Sequence, residues 1–262
     1  MINRDNNSYS NYYYSPLKGG GVIIFILWRW IVPTETQQHL LFDGRKVMIS
    51  RNGHHKYWVG DDDKDKMSSV TSILGHMDSS GFGVGMGWAL KVARLADGDL
   101  EAPRRASKEA QEQGTLLHDA IDSFIKEGIV DEENPVFVAW LNEVGNHHDW
   151  AASEQFVYHP TLRFGGTVDA LERYSVIWDW KTKGESYVKY GPSIKDSVQL
   201  SAYSAALNEM GSVYAPSKGY IAYIMRDGSG VDVVQVDLNK GWEIFKACHH
   251  LHSLIEGENR GK

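Results

Sequence analysis

The run Val176-Ile177-Trp178-Asp179-Trp180-Lys181-Thr182 sets two opposite charges into a segment otherwise apolar enough for the middle of a sheet. Successive strand side chains point to opposite faces, so Ile177, Asp179 and Lys181 share one face while Val176, Trp178, Trp180 and Thr182 share the other. Both faces carry large apolar groups. Charges buried there cost on the order of several kcal/mol unless they pair with each other or bind a metal. A second carboxylate, Asp169, lies upstream in Gly165-Gly166-Thr167-Val168-Asp169-Ala170-Leu171, a strand-like segment joined to the first by a short turn around Arg173-Tyr174. Two carboxylates and a lysine can therefore converge.

At 262 residues and 42% hydrophobic content, the chain can bury a sizeable core. A net charge of -7 argues against a protein that coats nucleic acid nonspecifically, because such binding is driven by Lys and Arg releasing counterions, although a local basic groove stays allowed. The single cysteine, Cys248, excludes a disulfide framework, a four-cysteine iron-sulfur cluster and a zinc site built from cysteines. A reducing cytoplasm fits this usage.

The most hydrophobic run, Val22 to Val32, is interrupted by Arg29 and is shorter than the roughly 20 residues of a spanning helix, so no membrane partner is expected. Lys18 ahead of it gives a weak signal-peptide character, without a small-residue cleavage site before Pro33. A buried strand, an anchor and a non-native extension all remain open. Residues 1–47 are set apart as an N-terminal extension of uncertain role, and residues 48–262 as a single domain without internal repeats.

Within that domain the periodicity predicts a short strand at 55–59, an acidic turn at 61–65, a glycine-rich hinge at 81–87, helices at 88–95, 103–126 and 135–146, and strands at 154–159, 163–172 and 175–182. A helix at 194–210, strands at 219–226 and 231–237, and a final helix at 241–255 follow. The last helix carries Cys248, His249, His250 and His252; adjacent histidines on a helix face different ways, which favours a surface helix over a metal site. The order implies an α/β sandwich with a mixed central sheet flanked by helices.

Five segments in this order resemble the PD-(D/E)XK nuclease superfamily, specifically its RecB-like exonuclease branch, which includes phage and mitochondrial genome maintenance exonucleases. They are Gly114-Thr115-Leu116-Leu117-His118, Glu154, Gly166-Thr167-Val168-Asp169, Asp179-Trp180-Lys181 and Gln199-Leu200-Ser201-Ala202-Tyr203, and the span from the first to the last is about a third of the chain. Each is weak alone; their order and spacing are specific. The resemblance implies a restriction-endonuclease-like core with α-β-β-β-α-β order and assigns residues 48–262 to one nuclease domain.

Asp169 and Asp179 are hard oxygen donors suited to Mg²⁺ or Mn²⁺. A bound divalent ion polarises a phosphoryl oxygen and lowers the pKa of water toward about 7. Lys181 would orient or deprotonate that water, or stabilise charge developing on phosphate. The resemblance adds the Trp180 carbonyl and His118 as metal ligands. It also gives Glu154 a part in metal or water positioning. Taken alone, His118 reads as a core histidine at the edge of the stripe formed by Leu117, Ile121, Phe124 and Ile125. Gln199 and Tyr203 share a helical face from which they could orient the site or hold phosphate; Lys183, with Lys189, Lys195 and Arg226, is a candidate phosphate contact.

The expected activity is a Mg²⁺- or Mn²⁺-dependent deoxyribonuclease without an iron-sulfur cluster, an exonuclease acting on single-stranded DNA or duplex ends. A structure-specific endonuclease or nickase, and a catalytically silent DNA-binding recombination protein, stand as alternatives. DNA is the expected partner, with room for a recombination or single-strand-binding protein.

Overall fold

The computed structural model describes residues 34–41, 44–60, 66–78, 84–184, 187 and 191–260. The apolar run at 22–32, the acidic turn at 61–65, most of the glycine-rich stretch and Lys189 lie outside them.

Two sheets carry the strands. The smaller has the order β1-β2-β3, built from β1 (Thr34–Leu40), β2 (Lys46–Asn52) and β3 (Tyr57–Val59), all antiparallel. The expected division at residue 47 falls inside β2, and β1 is hydrogen-bonded along the length of β2. The larger sheet holds six strands: β4 (Ser68–Ser69), β5 (Trp150–His159), β6 (Phe164–Glu172), β7 (Val176–Lys183), β8 (Lys218–Met225) and β9 (Val231–Val236). It is mixed, with β4/β6 and β7/β8 parallel and the remaining pairs antiparallel.

Helices cover both faces, as alternating apolar positions on both sides of β6 and β7 require. Helices α1 (Val70–Asp78), α5 (Ile194–Glu209) and α6 (Leu238–Arg260) close one face, where Ile73, Leu74, Leu200, Tyr203, Leu207 and Phe245 pack with Ile177, Val168 and Ile221. Helices α3 (Ala102–Glu127) and α4 (Pro135–Glu143) close the other over Trp178, Trp180, Ala222 and Ile224, and α2 (Val84–Leu95) lies beside α3 in sequence. Both tryptophans of the opening run are core residues. Local sequence fixes the helix ends: Gly128 takes φ 72° to close α3, and the Asn134 side chain accepts from the Val136 and Phe137 N–H groups ahead of α4.

Helix α6 lies at the surface, and two of its histidines are engaged with the body. His249 donates from Nε2 to the Leu162 carbonyl at 2.8 Å, and His252 sits 3.0 Å from His76 Nε2 and 2.9 Å from Ser68 Oγ. Those two rings dock α6 onto the body. Among the described residues no helix is long and apolar enough to cross a membrane.

Candidate active site

The site grows from an interruption in strand pairing. One edge of β6 is paired with β5 from His159–Phe164 to Trp150–Glu172. The other edge is shared: β4 takes Phe164 and Gly165, and β7 takes Ala170 to Glu172. Between them Gly166, Thr167, Val168 and Asp169 lack a ladder partner on that side, so β6 and β7 form a fork. Asp169 and Asp179 stand one step past the last pair, Ala170–Trp178. There the Asp169 carboxylate replaces the ladder, accepting the Trp180 N–H through Oδ2 at 2.7 Å.

Helix α3 delivers His118 to this fork. Leu117 and Ile121 anchor the helix in the core, and Gly114, where an added Cβ would lie 3.7 Å from Thr182 Oγ1, runs close to β7. The imidazole Nδ1 is 3.4 Å from Glu154 Oε1 and 3.8 Å from Asp169 Oδ1, while Nε2 is 3.3 Å from the Trp180 carbonyl oxygen. One ligand atom each from His118, Glu154 and Asp169 lie within 4.8 Å of one another. One imidazole, two carboxylates and a nearby carbonyl suit a divalent cation of hard to borderline character, so the donor set fits Mg²⁺ or Mn²⁺.

Glu154 reaches this cluster through unusual backbone. It lies between the register pairs Ser153–Ala170 and Gln155–Val168, yet its φ is +49°. Such a conformation costs a residue with a side chain about 1–3 kcal/mol, and it persists only where the surroundings hold it.

Asp179 is placed differently from the other carboxylates. Its side chain, 1% exposed, is bridged by Lys181 Nζ at 2.9 Å to Oδ1 and 2.7 Å to Oδ2, so the two charges of the opening run compensate each other. It is not among the three residues that cluster within 4.8 Å.

Electrostatics reflect this crowding. Burial would lower the His118 imidazole, but the adjoining Asp169 and Glu154 carboxylates outweigh it and push the ring up to about 9. Burial pushes Asp179 up to about 7, with Lys181 opposing and Asp169 adding to the rise. Glu154 is also raised, chiefly by burial.

The residues expected to meet substrate are partly engaged with one another. Gln199 donates from Nε2 to the Tyr203 hydroxyl at 3.0 Å, and the Tyr203 ring, 4% exposed, lies on Gly166, where a Cβ would come 2.2 Å from Cε1. Glycine is required there for the ring to close the fork. Lys183 is ion-paired to Asp196 at 3.1 Å and lies over the Tyr223 ring.

Sequence reading missed the contribution of the small sheet. Arg51 of β2 donates to Thr167 Oγ1 at 3.1 Å, and the Tyr57 hydroxyl meets the same oxygen at 2.9 Å. With His55, Ser69, Thr71 and Tyr203 they line a cavity of about 270 Å³ against Gly166 and Thr167. The signal was the alternating Lys46–Asn52 strand, which carries Arg51; its destination was not legible. Asp122, one turn past His118, accepts from Ser153 Oγ and pairs with Lys126, tying α3 to β5.

The family description of the PD-(D/E)XK nuclease superfamily matches residues 133–240, a span that contains Glu154, Asp169, Asp179, Lys181, Gln199 and Tyr203 and leaves out His118. The match supports the superfamily, agrees with the observed α/β fold, and suggests metal-dependent nuclease activity. No curated protein matches the chain.

Proposed function

We propose that the protein is a Mg²⁺- or Mn²⁺-dependent DNA exonuclease of the RecB-like kind, acting on single strands or duplex ends in the cytoplasm, with residues 34–262 working as one catalytic unit. The observation that carries the reading is the fork between β6 and β7, where His118, Glu154 and Asp169 cluster beside the Trp180 carbonyl and the Lys181–Asp179 pair. A divalent cation held there supplies charge that polarises the phosphodiester and acidifies water.

The chain's own groups supply the rest. His118, Glu154 and Asp169 would hold the cation, and Asp179 on the neighbouring strand fixes Lys181. The Lys181 ammonium, whose side chain is 22% exposed, is placed to stabilise charge developing on phosphate or to orient the attacking water. Lys183 extends the positive charge along the same strand face, and the Gln199–Tyr203 pair forms the wall of the fork. Arg51, with the hydroxyls of Ser69 and Thr71, offers the adjoining cavity to a phosphate. A small cavity beside the metal cluster suits the phosphate of a strand terminus better than a continuous backbone, which favours an exonuclease over a nickase.

Digestion of end-labelled linear, circular and single-stranded DNA side by side tests the reading. Linear substrate should be consumed while circular DNA resists; equal cutting of circles would overturn exonuclease action, and no cutting with either metal would leave a binding protein.

A further inference from the structure

We propose that Gln37, on β1, is a positioning residue that sets Glu154 for metal binding. The inference rests on the reading of Glu154 as a metal ligand. Strand β6 pairs along one edge of β5, and among the described residues no strand pairs with the other edge at Glu154. The Gln37 side chain fills that role. Its Nε2 donates to the Glu154 carbonyl at 2.6 Å, and its Oε1 accepts the Phe156 N–H at 2.7 Å. A carbonyl at one position and an N–H two residues on point to the same edge of a strand, so one primary amide satisfies both, as the N–H and C=O of a single residue do in a neighbouring parallel strand.

The clamp starts at the residue whose φ is +49° and fixes the direction of its carbonyl. Relaxing Glu154 to ordinary strand geometry would re-aim the carboxylate that now lies 3.4 Å from His118 Nδ1. Gln37 is itself held by the hairpin: Thr36 Oγ1 bonds Ser50 Oγ at 2.8 Å and Glu35 pairs with Arg51 at 2.6 Å. The strand ahead of residue 47 thereby reaches the metal cluster without contributing a ligand.

The test is Mn²⁺ affinity of the full chain, measured by electron paramagnetic resonance of free Mn²⁺, for wild type, Gln37→Leu, Glu154→Ala and the double variant. Gln37→Leu keeps the volume and loses the amide, and should weaken Mn²⁺ binding about 10-fold, in the range seen when groups supporting metal ligands are removed. The double variant should bind no worse than Glu154→Ala alone, since Gln37 acts through Glu154. Gln37→Glu, which keeps an acceptor for Phe156 and loses the donor to Glu154, should fall between; it carries the same comparison if Gln37→Leu does not fold. Wild-type affinity in Gln37→Leu, or losses that add fully in the double variant, would overturn the proposal. Wild type that binds Mn²⁺ without cleaving DNA would sink the nuclease reading alone, whereas wild type that binds no Mn²⁺ would sink both.

Discussion

Lys181 Nζ donates to Asp179 Oδ1 at 2.9 Å and lies 2.7 Å from Oδ2, which has no hydrogen-bond partner among the described residues, on the strand that carries the Trp180 carbonyl. Removing the ammonium strands a carboxylate that is 1% exposed, and losing one partner of a buried pair costs on the order of 3 kcal/mol. Lys181→Ala should therefore lower the melting temperature and reduce cleavage by about 10²–10⁴-fold while Mn²⁺ still binds. Adding Asp179→Asn should restore part of the melting temperature and none of the cleavage. Near-normal turnover in Lys181→Ala would remove the lysine from the mechanism.

In the proposed site, protons and metal would compete for His118. With the imidazole pushed up to about 9 from 6.5 in the metal-free protein, its protonated form stabilises the fold fully below 6.5, and that contribution is lost as pH rises through about 9. Asp179, raised to about 7, binds its proton more tightly in the fold than in the unfolded chain, so stability also falls as pH rises from about 4 to 7. Metal-free protein should accordingly melt lower as pH climbs from 5 to 9. Mn²⁺ affinity should run the other way, gaining about 10-fold per pH unit up to about 9 because binding expels the imidazole proton. Affinity flat between pH 7 and 9 in calorimetric titrations would contradict the assignment of His118.

The ligand set has an internal order. Asp169 lies in the cluster with His118, whereas Asp179 is tied to Lys181 through Oδ1. Asp169→Asn should weaken Mn²⁺ binding more than Asp179→Asn does, and calorimetry of the two variants checks it. The reverse ranking would place the cation on Asp179 instead.

Gly166→Ala directs a methyl into the Tyr203 ring at 2.2 Å, with both residues in the packed wall of the fork. Overpacking of this kind costs about 1–3 kcal/mol. A lower melting temperature together with reduced cleavage is expected, and unchanged values in both would show that the ring yields freely.

Strands β5 to β7 and helix α3 were legible because their patterns are long and their turn and cap residues agree, as at Gly128. Asp169, Asp179 and Lys181 were legible because charge inside an apolar strand demands compensation. Their exact partnership was not: whether Asp179 turns to metal or to Lys181 depends on where β6 and β7 stop pairing, which no local pattern encodes. Gln37 and Arg51 act across 117 and 116 residues of chain, on Glu154 and Thr167. Their strands look like any polar hairpin until the second sheet is folded against β5. The docking of α6 through His249 and His252 escaped for the same reason, since the partners Leu162, His76 and Ser68 lie far away in sequence.

The central claim is that the fork between β6 and β7 hydrolyses DNA with a divalent metal held by Asp169 and its neighbours. Release of acid-soluble nucleotides from linear DNA, followed for wild type and Asp169→Ala with Mn²⁺, with Mg²⁺ and with chelator, tests it most directly. The account predicts release by wild type with metal, none with chelator, and none from Asp169→Ala under any condition; release by Asp169→Ala at the wild-type rate, or by wild type in chelator, would contradict it.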